Sequence, residues 1–134
     1  MAKESGLGMT VAVDDSGGSA RTISNDIVSA DMATPREESD ITGLDKSARE
    51  RLLLLADLSF TYNGIFNDSS NMSHDVFKTV PSTSVARTAT NTISGQVLAA
   101  EVFFNDYPLS RGTDGSLTWT VTGLLAGGAV PTWA

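Results

Sequence analysis

The sequence predicts an all-β domain with one short helix, its strands stacked as a single pair of layers, and three stretches carry that prediction. In residues 116–122, Leu117, Trp119 and Val121 alternate with Ser116, Thr118, Thr120 and Thr122, the period of two that a half-buried strand requires. In residues 96–104 apolar side chains fall on both faces: Leu98, Ala100, Val102 and Phe104 on one, Val97, Ala99 and Phe103 with Glu101 on the other. Either a second layer of the same chain covers both faces of that strand, or another copy of the chain covers part of one. Only Met72, Val76, Phe77 and Val80 form a helical stripe, preceded by the cap candidates Asp68, Ser69, Ser70 and Asn71 and stopped by Pro81.

The remaining elements follow in order. Met9-Thr10-Val11-Ala12-Val13 alternates and runs into Asp14-Asp15-Ser16-Gly17-Gly18, a turn cluster that predicts a hairpin with a return strand over residues 20–24. A further strand is expected over residues 27–32. Residues 33–51 are dense in charge and read as a long loop, with a turn or two of helix over residues 45–54 capped by Asp45 or Ser47. Leu58, Phe60 and Tyr62 then alternate with Ser59, Thr61 and Asn63, so a strand begins by about residue 57, and Gly64 suggests a bulge or its end. Residues 83–93 read as another strand, which breaks at Asn91 or Gly95 before two long strands over residues 95–123. A short C-terminal tail, residues 124–134, is rich in glycine and ends on Trp133, which is expected to dock.

Length and charge narrow the function. At 134 residues the chain fits one domain with one core. A formal charge of -7 and a pI near 4.4 argue against a protein that grips phosphate, although a conduit for nucleic acid gains from a wall that does not bind it. With no cysteine, neither a disulfide frame nor a thiolate metal site is available. Residues 1–6 lack the apolar run of a signal peptide and residues 52–56 are too short to span a bilayer, so a soluble chain that is not exported and does not meet a membrane is expected.

Chemistry finds little footing. The single imidazole, His74, neighbours Asp75, but adjacent helical residues point about 100 degrees apart, and His74 reads as an ordinary surface residue of the helix. Glu37 and Glu38 read as part of a solvated or partner-facing charge run rather than as a convergent acid/base pair. The Asp14 to Gly18 cluster lacks the alternating ligands and closing Glu of a calcium loop and reads as a plain turn. Gly6-Leu7-Gly8 precedes a strand, the wrong order for a nucleotide fingerprint. Trp119 and the Phe103-Phe104 pair have no interleaved Lys or Arg and read as core rather than as a base-stacking platform. No catalytic residue, metal site or cofactor is expected.

Four blocks, taken together, resemble the tail tube (major tail) proteins of long-tailed bacteriophages, in the small form shared with related contractile and transfer particles. They are residues 8–18; Thr34-Pro35-Arg36 through Asp40-Ile41-Thr42-Gly43-Leu44-Asp45 with Ala48-Arg49-Glu50; Met72-Ser73-His74-Asp75-Val76-Phe77; and residues 115–121 with Val130-Pro131-Thr132-Trp133. The resemblance implies two packed antiparallel sheets (a sandwich or barrel) flanked by one helix. It implies six copies closing into a hexameric ring with a continuous inner β-barrel, the rings stacking into the conduit for genome ejection. The long loop of the family reaches the neighbouring ring, a place held here by Arg36, Glu37, Glu38, Asp40, Lys46, Arg49 and Arg51, whose mixed charge suits contacts that need register. Ring contacts are expected at Val97, Ala99, Glu101 and Phe103, and the lumen face at Ser59, Thr61 and Asn63, with Glu101 and its neighbours as the other candidate.

The implied partners are further copies of the chain and other tail proteins: a tape measure inside, terminator and distal tail proteins at the ends. DNA would be met only in transit. The implied location is the virion tail, with assembly in the host cytoplasm. Competing readings are a monomeric β-sandwich module that binds carbohydrate or protein, another small virion protein such as a decoration or tail-terminator protein, and, least supported by the residues, a small enzyme.

Overall fold

The structure, a computed structural model, describes residues 3–134, so Met1 and Ala2, where the reading of the N-terminus begins, lie outside the described residues. Among the described residues the strands are β1 (Thr10–Asp14), β2 (Ala20–Thr22), β3 (Ile27–Ala33), β4 (Arg36–Asp40), β5 (Arg51–Ala56), β6 (Ser59–Ile65), β7 (Arg87–Ile93), β8 (Gln96–Phe104), β9 (Leu109–Arg111) and β10 (Leu117–Leu125). One short helix, α1 (Ser73–Phe77), lies between β6 and β7. The strands form two antiparallel sheets: an eight-stranded one in the order β2-β1-β7-β8-β10-β6-β3, with β9 also on β10, and a two-stranded ribbon of β4 and β5.

The two packed layers are two halves of the larger sheet. In that order β6 stands three places from β7, about 14 Å away if the sheet were flat. Yet the Tyr62 hydroxyl of β6 donates to Asn91 Oδ1 of β7 at 2.6 Å. The sheet must therefore fold over, setting β1, β7 and the first part of β8 against β3, β6 and β10. Val11, Val13, Ala89 and Leu98 from one half, and Phe60, Tyr62, Trp119 and Val121 from the other, fill the space between. The helix contributes Val76 and Phe77, the latter against Phe104 and Trp119 with ring centroids 5.3 Å away in each case.

The fold is made by one strand that changes partner. Residues 96–102 of β8 pair with β7 after a two-residue turn, Ser94-Gly95, in which both residues have positive φ (50° and 82°), the geometry of a type I′ hairpin. Residues 102–104 of the same strand pair instead with β10, in the register Phe104↔Gly123. The chain then continues along β10 as β9, with Leu109↔Trp119 and Arg111↔Leu117. Between the two blocks residues 105–108 form no strand, while residues 120–122 pass on β10.

Several local expectations need correction. The two strands of residues 95–123 do not form a simple hairpin: β10 pairs along its length with β6 and meets β8 at three residues only. Asn91 is not a break; it lies buried in mid-strand and also donates through Nδ2 to the Leu98 carbonyl. Gly64 does mark a bulge, carried by the partner strand β3 between Ile27 and Ser29, and stands one residue before the end of β6 while staying in register with Trp119. Residues 45–54 contain no helix, because residues 51–56 extend to pair with β4. The N-terminus of α1 takes no side-chain cap from the preceding segment; Asp26, from a different part of the chain, accepts from the Ser73 amide at 3.0 Å and from Asn67 Nδ2 at 2.8 Å.

Candidate assembly surfaces

The segment expected as a loop is an ordered ribbon that prolongs the β3–β6 hairpin. β3 and β6 pair down to Ala33↔Ser59, and after a break the Asp57 amide donates to the Pro35 carbonyl and β4 takes up pairing with β5 at Arg36↔Ala56. Glu37 occupies the register shift between Arg36 and Glu38. At the tip, the Ile41 amide donates to the Glu50 carbonyl and Thr42 Oγ1 accepts from the Glu50 amide.

Six of the seven charged residues singled out in this segment, all but Glu37, make contacts within the ribbon itself. Arg36 donates through Nε and Nη2 to the Leu54 carbonyl at 3.0 and 2.7 Å, tying the two strands together at the base. Arg51 lies 3.9 Å from Glu38 across the strands, Lys46 lies 3.7 Å from Glu50, and Arg49 pairs with Asp40. Hydrogen bonds from the Thr42 hydroxyl and amide, and then Arg49, hold the Asp40 carboxyl below the usual carboxylate range. Exposed ion pairs of this kind contribute little each, but they fix the shape of the ribbon.

What the ribbon leaves open is apolar. Leu52, Leu53, Leu54 and Leu55 alternate to its two faces, and all are exposed, Leu53 at 56% and Leu55 at 77%. Ile41 and Leu44 at the tip are exposed as well. Residue type alone missed this surface, because a run of four leucines favours helix. The signal lay in applying to residues 52–55 the same test applied to residues 96–104, apolar on both faces with nothing nearby in sequence to cover them.

The other expected surfaces separate. Ser59, Thr61 and Asn63 share the outward face of the β3-β6-β10 layer, in rows that the registers define: Ala33, Ser59, Leu124 and Phe103; Asp31, Thr61 and Thr122; Ser29, Asn63 and Thr120. In the third row Thr120 Oγ1 donates to Asn63 Oδ1 at 2.7 Å and Asn63 Nδ2 donates to Ser29 Oγ at 2.9 Å, so the amide lies along the sheet with its polar atoms engaged sideways. Asp31 is the single charged side chain in these rows. Phe103, 48% exposed, borders the same face, whereas Val97, Ala99 and Glu101 lie on the outward face of the opposite half, across from Thr92, Thr90 and Thr88 of β7. The C-terminal segment docks beside them: Val97 and Ala134 exchange both backbone hydrogen bonds, at 2.9 and 2.8 Å, placing Trp133 against Leu98.

The groups examined for chemistry do not converge. His74 is not a plain surface residue, since its ring packs 4.8 Å from Phe66 and its Nδ1 lies 3.4 Å from the Tyr107 hydroxyl. Asp75 turns elsewhere, accepting from the Asn71 amide at 2.8 Å and from Lys78 Nζ at 3.2 Å. Asp15 closes the first hairpin by accepting from the Gly17 and Ser19 amides and pairing with Arg21 Nε at 3.1 Å. Among the described residues no three His, Asp or Glu side chains gather as a metal site, and no helix is long and apolar enough to cross a membrane.

Comparison with known proteins gives the fold a precedent. No protein-family model matches the chain, and no curated protein matches it. Among solved structures, the chain is similar to one from the tail of an empty gene transfer agent (GTA) particle with C6 symmetry, at a TM-score of 0.80 and 14% identity over 98% of this chain and 99% of that one. It is similar also to a chain from the virion of a native gene transfer agent particle, at a TM-score of 0.78 and 14% identity with the same coverage. At that identity the likeness establishes the fold alone, over nearly the whole length of both chains: this chain has the fold of those gene transfer agent particle chains.

Proposed function

We propose that this chain is a virion structural protein without enzymatic activity, a tail tube subunit whose six-membered rings stack into the conduit for genome ejection. The observation that carries the reading is the end-to-end likeness to a six-fold symmetric particle tail. The ribbon supports it on separate grounds. Four leucines on two faces of a two-stranded ribbon keep between 38% and 77% of their surface exposed, and since complete burial of a leucine stabilises by about 1.5–3 kcal/mol, each would gain a corresponding part of that from a neighbouring copy.

In this reading the ribbon reaches into the neighbouring ring. Arg36, Glu37, Glu38, Asp40, Lys46, Arg49 and Arg51 set its shape and register, and the leucines supply the contact. The hydroxyl and amide face through Ser59, Thr61 and Asn63 lines the lumen. Its rows carry no Lys or Arg, so it offers passing phosphates no counter-charge and DNA moves along it without being held. Phe103 belongs to the ring contact, while Val97, Ala99 and Glu101 face outward on the other layer. The partners are further copies of the chain, a tape measure inside the tube, terminator and distal tail proteins at its ends, and DNA in transit. The protein acts in the virion tail after assembly in the host cytoplasm.

Negative-stain electron microscopy of the purified chain at high concentration tests this. Hollow tubes or six-membered rings are expected. A chain that stays monomeric, with no rings even when the tail's initiating proteins are added, contradicts it, and glycan or peptide binding by that monomer would favour a binding module instead.

A further inference from the structure

The edge of β8 that faces away from β7 is covered by one passage of chain, tied down at its two ends. We propose that residues 126–134 are a releasable strap closing a strand-accepting edge at residues 97–101, and that with the strap gone two copies of the chain pair through that edge. The inference concerns the layer built on β1, β7 and the first part of β8, and it stands apart from the tail tube reading.

Backbone direction identifies the edge. β7 pairs with β8 from Ile93↔Gln96 to Arg87↔Val102, and β10 reaches β8 only at residues 102–104. The Val97 amide and carbonyl both bond Ala134, so they point away from β7, and by the two-residue period of a strand those of Ala99 and Glu101 do too. The Glu101 carbonyl accepts from the Ala126 amide at 2.9 Å. Between these two ties the strap leaves the strand. Its step from Leu125, opposite Val102, to Trp133, opposite Leu98, is eight residues long, whereas the step it parallels on β8 is four. The excess arches outward from Gly127-Gly128, where Gly128 has a φ of 71°, over a hollow of about 310 Å³ lined by Ala99, Ala100, Glu101, Ala129, Val130 and Pro131. Under the arch the Ala99 amide and carbonyl find no partner among the described residues.

The strap is held lightly. None of residues 126–134 is buried, Val130 being 68% and Trp133 51% exposed, and three backbone hydrogen bonds tie the segment to β8. Segments with so few buried contacts are the ones that open locally. The strap also ends the pairing it makes, since Pro131 has no amide to offer a further strand. The edge beneath it has no such guard: residues 96–101 hold no Lys, Arg or Pro, and Glu101 is their only charge. That edge is self-complementary. Two copies related by a two-fold axis at Ala99 set Val97 of each opposite Glu101 of the other, so antiparallel pairing brings no like charges together.

Shortening the chain tests this. Native mass spectrometry of a chain of residues 1–125 is expected to show about tenfold or more of a two-chain species relative to the full chain at the same concentration. Adding Ala99→Lys to the shortened chain places two ammonium groups face to face at the axis and should return that species to the level of the full chain. A shortened chain that keeps the circular dichroism of the full one and forms no more of the two-chain species overturns the proposal, as does a two-chain species that Ala99→Lys leaves unchanged. If the shortened chain does not fold, hydrogen exchange on the unsubstituted chain decides. The Val97 and Ala134 amides, protected by the strap alone, should exchange about tenfold or more faster than the Leu98 and Ala100 amides, which face β7. Equal protection of the two sets would show that the strap does not release, and overturns the proposal.

Discussion

The Tyr62 hydroxyl and Asn91 Oδ1 meet across the core at 2.6 Å, although their strands stand three places apart in the sheet. Both side chains are fully buried, so each depends on the other for its hydrogen bonding. Tyr62→Phe is expected to destabilise the monomer by about 1–3 kcal/mol, because it leaves the Asn91 oxygen without its donor. Asn91→Ala should cost a similar amount, and the double variant less than the sum of the two. Urea denaturation of the three variants checks this; strictly additive losses would mean that the two halves are not joined here.

Burial also makes the fold sensitive to alkali. Removal from water raises the Tyr62 phenol far above its ordinary value of 10.0, and it raises Tyr107 to about 12. A folded-state pKa above the unfolded one contributes stability that is complete below pH 10 and is lost as pH rises towards the folded value. Stability measured by urea denaturation should therefore be level from neutral pH to about pH 9 and fall beyond pH 10. Tyr62→Phe should be less stable at neutral pH and show a shallower alkaline fall. An unchanged slope would assign the sensitivity to other groups.

Gly64 sits where β6 is closely approached by the Trp119 indole of the adjacent strand β10 and by the segment before β3. A Cβ there would lie 2.5 Å from the Asp26 carbonyl oxygen and 2.6 Å from Trp119 Cε2. The indole cannot retreat freely, because its Nε1 donates to the Ile65 carbonyl at 3.0 Å. Gly64→Ala is expected to cost about 3 kcal/mol, the upper end of ordinary overpacking, read as a loss of thermal midpoint. A cost within the range of a surface substitution would show that the contact is looser than described.

That glycine illustrates what the sequence could and could not convey. Strands that meet one environment along their length were legible: β10 alternates because one face meets the core, and the first hairpin was marked by Asp15 and Gly18. Gly64 marked the bulge and the nearby strand end, but not the residue that requires a glycine there, Trp119, which is distant in the chain. Of the two breaks offered, Gly95 holds the turn, whereas Asn91 lies in mid-strand, where a polar residue looks like a break until Tyr62 is placed opposite it. The passage of residues 96–111 from one layer to the other was illegible, since nothing local marks a strand that changes partner. The ribbon was hidden for another reason: Leu52 and Leu53 stand opposite the polar Ser39 and Glu38 rather than an apolar face, so local helix propensity was the guide, and pairing with β4 overrode it.

The ribbon allows fold and assembly to be separated. Leu53→Asp with Leu55→Asp alters two exposed side chains and should change monomer stability by no more than about 0.5 kcal/mol per site. The same pair should reduce tube formation at least tenfold, followed by sedimentation. Reversing Arg36 and Arg49 to Glu should weaken stacking with the fold retained, by loosening the strand tie at Leu54 and the pair with Asp40. Normal tube growth in both variants would remove the ribbon from the ring contact.

The central claim is that the chain completes its structure only among copies of itself, and counting those copies tests it most directly. Native mass spectrometry of the chain, with and without the tail's initiating proteins, should find species of six 14.1-kDa chains or multiples of six. A single 14.1-kDa species at every concentration and in both conditions would contradict the account.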